Sequence, residues 1–162
     1  MLRTAIFLAL LIAACCYAVR RGGAPERLVA YAFLAAYVLT IAVRSSRPER
    51  YFDIETGVFI VDVLLFFTIF AVMLTANRIW PIWMTVLMMM AVGGHIAKLI
   101  DPTVIRTVYQ IMLSFWGWPA AVLLIIATWR HQRRVARNGA DASWRRSLRG
   151  APRPTLRPPQ AG

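Results

Sequence analysis

Lysine and acid are scarce in this sequence: one Lys stands beside eighteen Arg, and only seven Asp or Glu oppose these nineteen cations. Cysteine is limited to the adjacent pair Cys15 and Cys16, a spacing that suits neither an ordinary structural disulfide nor a metal clamp. Both read as small buried helix residues. No P-loop, dinucleotide-binding glycine pattern, metalloprotease helix or zinc-finger spacing occurs. No nucleophile–base pair is visible either, so an enzyme is not expected and neither a metal nor a cofactor is implied. At 162 residues the chain is too short for a second domain.

What is present is apolar surface, since 59% of residues are hydrophobic although the formal net charge is +12. A basic water-soluble domain would spread its charge, whereas here long runs carry none and arginine crowds the gaps and the tail. The pattern predicts an all-α, polytopic membrane helix bundle. About 20 residues at roughly 1.5 Å each cross a hydrocarbon layer of about 30 Å. Five segments fit a span: 5–19, 28–43, 57–76, 79–100 and 108–129. The first two are short and need flanking residues to snorkel or the bilayer to thin. Residues 1–137 form the bundle and 138–162 a disordered, Arg-rich tail whose prolines prevent regular structure.

The stops are chemical. Arg20-Arg21-Gly22-Gly23 with Pro25 is a charged turn, and Trp80-Pro81 and Asp101-Pro102 are helix starts with proline near the first position. Pro119, at the centre of the fifth segment, is expected to kink it by clashing with the Phe115 carbonyl. Asn138-Gly139 should end that helix. Under a five-span topology with the N-terminus out and the C-terminus in, thirteen Lys or Arg fall on the inner side and six on the outer. That bias favours this orientation in a plasma membrane. A rival reading takes the first segment as a signal peptide, with Ile12-Ala13-Ala14-Cys15 as a lipobox and four spans remaining. It would export the tail with its nine arginines, against the charge bias.

Ionisable groups at membrane depth are costly and so mark an interhelical network or a site. The topology brings Asp62, His95, Lys98 and Gln110 together in the outer third. A network locking the third and fourth helices is the simpler account, and proton or ion handling is the sharper one. Asp53, Glu55 and Asp101 near the same mouth could add cation ligands. A haem would need facing histidines, but His95 and His131 fall at opposite membrane faces. Met84, Met88, Met89 and Met90 read as lipid-facing filler, not a copper site. Small residues at helical spacing, Ala5, Ala9 and Ala13, then Gly93 and Ala97, then Gly117 and Ala121, suit close packing within the bundle or against another protein. Trp80, Trp83 and Trp129 fit an aromatic belt.

The expected partners are the lipid bilayer, anionic headgroups through the tail, and a membrane protein or a second copy. One tryptophan among the tail arginines argues against nucleic acid. The strings Asn77-Arg78-Ile79-Trp80-Pro81-Ile82-Trp83, Gly94-His95, Asp101-Pro102, Trp118-Pro119 and Thr128-Trp129-Arg130-His131 resemble a group of small uncharacterised bacterial inner-membrane proteins over the last three spans. The resemblance implies a membrane class and assigns no residue a role. The expected function is a non-enzymatic membrane component or accessory subunit, with a small transporter or ion- or proton-coupled binding protein as the alternative.

Overall fold

The computed structural model describes residues 2–43, 56–101, 109, 111, 115–139, 141, 143 and 144. Five long helices account for nearly all of them: α1 Leu2–Arg21, α2 Ala24–Val43, α3 Thr56–Thr75, α4 Trp80–Ile100 and α5 Gly117–Asn138. The first four are each long and apolar enough to cross a membrane. The first two helices run on through Leu2–Thr4, Arg20–Arg21 and Ala24–Arg27 to reach 20 residues each. Arginine is a good helix former, and Arg20 and Arg21 in the last turn of α1 also complement its dipole.

The chain alternates direction, so the α1–α2 turn, the α3–α4 turn and the end of α5 lie together at one end, called here the arginine end. Neighbours in sequence pack side by side, α1 on α2, α2 on α3 and α3 on α4, while α5 closes the bundle against α1 and α4. The closing seam is built from small side chains. Ala14 and Ala18 of α1, Ala30 of α2, and Ala120, Ala121 and Ala127 of α5 are all buried, allowing backbones to approach closely. Gly117 adds to it, since a Cβ there would sit 2.9 Å from the Phe7 ring.

Several expectations change. Ala5, Ala9 and Ala13 are exposed, and the inward face of α1 is Leu11, Ala14, Cys15 and Ala18. Gly93 is exposed with open space around it, so it lies outside the internal seam. Met84 and Met88 are core residues against the neighbouring helices, and only Met89 and Met90 face outward. Cys15 is buried but Cys16 is exposed. Asp101 caps the end of α4, its N–H donating to the Ala97 carbonyl at 3.0 Å, and the Pro102 expected to open the next helix lies outside the described residues. Trp116 is a turn residue between helical Phe115 and Gly117, so Pro119 falls in the first turn of α5, where its missing N–H leaves no hydrogen bond unmade.

Several hydroxyl side chains within the apolar layer, and the end of α5, are satisfied locally. Thr68, Thr75, Thr85 and Thr128 each donate a hydroxyl to the carbonyl four residues earlier, at 2.8 to 2.9 Å. Helix α5 stops at Gly139, which takes a left-handed φ of 72° while its N–H reaches the Val135 carbonyl. Many large apolar side chains, among them Leu64, Phe67, Leu74, Trp83 and Leu99, point outward. In water such a perimeter would drive aggregation, and in hydrocarbon it is the solvated surface.

Gly22 at the α1–α2 turn tests how tightly the arginine end is built. A Cβ there would lie 2.5 Å from the Ala18 carbonyl oxygen and 2.7 Å from Glu26 Cβ. Backbone cannot yield as a side-chain tip can, so Gly22→Ala should cost about 1–3 kcal/mol and lower the melting temperature in detergent by roughly 2–10 °C. Circular dichroism melts of the two proteins measure it.

Candidate functional site

Two of the residues singled out at membrane depth, Asp62 and His95, meet near the end opposite the arginine end. Asp62 lies in the second turn of α3 and His95 in the last turns of α4, and the antiparallel packing of these helices brings them level. His95 is completely buried, with Nε2–H donating to Asp62 Oδ2 at 3.1 Å. The Tyr109 hydroxyl, also fully buried, donates to His95 Nδ1 at 2.7 Å. With Asp62 as acceptor, the proton sits on Nε2, and Nδ1 is left to accept from tyrosine. Phe59 from α3 covers the imidazole at a ring separation of 5.2 Å, and Tyr109 meets it edge-on at 5.6 Å. Lys98, one turn along α4 from His95, is buried and engaged.

Gln110, together with Asp53 and Glu55, lies outside the described residues, and its neighbour Tyr109 belongs to the network. The signal for Tyr109 was faint. A tyrosine near a span end reads as interfacial anchoring, and only its position beside a polar glutamine hinted at an inward hydroxyl. Among the described residues no group of three or more His, Cys, Asp or Glu is placed to hold a metal ion. The triad joins three segments through exchangeable protons.

A second polar network, at the arginine end, had no counterpart among the expectations. Its centre is Asp141, just beyond α5. Arg78 from the α3–α4 turn grips this carboxylate with two parallel bonds, Nη1 to Oδ1 at 2.9 Å and Nη2 to Oδ2 at 2.6 Å. His131 Nδ1–H and Arg134 Nε–H from α5 donate to Oδ2 at 2.7 and 3.1 Å. Glu26, fully buried in the first turn of α2, faces the other side of Arg78 at 3.7 Å and accepts from Trp80 Nε1–H at 3.1 Å. Backbone pairing completes the clasp. The Asn77 N–H donates to the Ser143 carbonyl at 3.1 Å, and Ala76 bridges antiparallel to Trp144.

The expected disordered tail from residue 138 therefore begins, at Asp141, Ser143 and Trp144, as a segment docked on the α3–α4 turn. The cause is Asp141, the single acid among nine tail arginines, which finds three donors in place of solvent. Glu26 and Arg78 read as ordinary loop charges, because sequence spacing alone does not show that the two turns stack. The remaining expected packing residues divide: Ala121 is fully buried, Gly117 abuts Phe7, and Ala97 is half-buried on α4.

Comparison with protein-family models, with curated proteins and with solved structures gives no match. Geometry alone therefore carries the functional reading.

The clasp has a defined pH response. Burial pushes the Asp141 carboxyl upward, but hydrogen bonds from His131 and Arg134 and the charges of Arg78 and Arg134 outweigh it and hold the group below the usual carboxylate range. A carboxyl depressed on docking stabilises the docked form above its undocked pKa, and that stabilisation disappears as pH falls through the docked value. Amide hydrogen-exchange protection at Asn77 should thus persist from neutral pH to about pH 4 and decline below it. Asp141→Asn should reduce that protection at pH 6 by roughly tenfold, in line with losing charge-assisted hydrogen bonds.

Proposed function

We propose that the chain is a non-enzymatic integral component of the bacterial plasma membrane, or an accessory subunit there. It crosses the bilayer five times, with the N-terminus outside and the arginine end in the cytoplasm. The four long apolar helices support the membrane placement, and the excess of Lys and Arg on the tail side supports the orientation. The fifth crossing uses the apolar half of α5, and Tyr109, ahead of it in sequence, reaches the level of His95.

The observation that carries the non-enzymatic reading is the closure of the Asp62–His95–Tyr109 triad. Both imidazole nitrogens of His95 are engaged by neighbours from other segments. Such a residue fastens helices in register, and satisfied contacts of this kind contribute on the order of 1 kcal/mol each. Interaction would then use the outer surface, where the exposed small residues Ala5, Ala9, Ala13 and Gly93 leave room for another helix from a partner or a second copy.

One feature favours the proton-coupled alternative. The Asp62 side chain keeps 24% exposure while His95 and Tyr109 have none, so three exchangeable groups lead from a partly open end into the core. The two readings separate on one variant. Asp62→Asn should lower the melting temperature in detergent by roughly 2–4 °C, the equivalent of about 1 kcal/mol, and leave proton flux in liposomes under an imposed pH gradient unchanged. A wild-type flux abolished by Asp62→Asn at constant melting temperature transfers the conclusion to proton coupling.

A further inference from the structure

Between the start of α4 and the second half of α5, at the arginine end, the surface opens into a cavity of about 570 Å³. Its floor is apolar, formed by Ile82 and Trp83 of α4 with Leu123 and Ile126 of α5, and its rim carries Arg130 and Arg134 beside the Arg78–Asp141 pair. A second recess of about 510 Å³ adjoins it, sharing Ile126, Arg130 and Arg134 and adding Arg133 and Arg137. These four arginines fall at positions i, i+3, i+4 and i+7 of α5 and so share one face. Like charges at that spacing repel, and the acid nearest them is Asp141, already held by Arg78, His131 and Arg134. Arg133 lies flat over the Trp129 ring at 3.9 Å, which holds the aromatic side chain beside the basic face. A second sign of an unfilled partner is Arg134 Nη2, buried without a hydrogen-bond acceptor among the described residues.

We infer that this groove is a binding site for one anionic phospholipid, its phosphate held by Arg130 and Arg134 with Arg133 alongside, and its acyl chain laid along Ile82, Trp83 and Ile126. Two features select a lipid over a free anion. The apolar floor has no use for inorganic phosphate, and it runs from the basic rim toward the outward-facing side chains of α4 and α5. Trp83 and Trp129 are 64% and 45% exposed at this same end, where the arginine level meets the apolar level, as side chains at a headgroup boundary should be. Basic pockets between membrane helices on the cytoplasmic side recognise acidic headgroups in this manner. The site rests on the membrane placement of the bundle and is independent of the Asp62 triad.

The test uses the full chain in detergent, titrated with phosphatidylglycerol or with phosphatidylcholine of the same acyl chains, and counts bound lipids by native mass spectrometry. Wild type should prefer phosphatidylglycerol, and Arg130→Gln combined with Arg133→Gln, which leaves every clasp contact intact, should weaken its binding roughly tenfold. The melting temperature without lipid should match wild type, and the phosphatidylcholine affinity should not change. Substituting tail residues Arg153 and Arg157 by Gln should leave the preference in place. The proposal fails if the double variant retains the preference, if the tail variant removes it, or if millimolar inorganic phosphate displaces the lipid completely.

Discussion

Hydrocarbon offers no hydrogen bonds, so every polar group that enters the bilayer must find its partner within the protein. Most of what is built here answers that one constraint. Four threonines return their hydroxyls to their own helix, and the few titratable side chains placed among apolar neighbours gather into two networks at opposite ends of the bundle. Between those networks the core is nearly all aliphatic, with Ile69, Met84 and Leu124 fully buried and alanines along the α1–α5 seam. Packing brings the helices together, and the polar contacts fix their register, because a hydrogen bond tolerates less sliding than an alanine face does.

The two ends are fastened differently. At one, hydrogen bonds linking a carboxyl group, an imidazole and a phenol join α3, α4 and the approach to α5. At the other, formal charges meet: a buried glutamate, an arginine with two parallel hydrogen bonds to an aspartate, and a second arginine. Breaking a buried charged pair by removing one member is costly because the other is left uncompensated, which makes the arginine end the less forgiving of the two. Helix α5 is apolar through its first half and basic through its second, where it supplies His131 and Arg134 to the arginine end.

Four long apolar helices were readable because composition distinguishes them, and the meeting of Asp62 with His95 followed from depth and alternation. What stayed hidden required knowledge of rotation about each helix axis. The four-residue spacing of Ala5, Ala9 and Ala13 defines a face but not which face turns inward, and the chosen one was instead Ala14 and Ala18, a different side of the same helix. Met84 and Met88 were hidden for the same reason. Tyr109 needed the path between α4 and α5, which no periodicity supplies. The Asp141 clasp needed two short turns and a chain end to stack, an arrangement dictated by the closed ring of helices and not by any local pattern.

Arg78 and Asp141 are 63 positions apart in sequence. Synthesis at about 5–20 residues per second therefore exposes the arginine roughly 3–13 s before the carboxylate that receives it is made. During that interval Glu26, already synthesised, is the acid near Arg78. The pairing of those two residues is thus suited to act as a placeholder, keeping the α1–α2 and α3–α4 turns in apposition until α5 arrives and its last residues seal the end of the bundle.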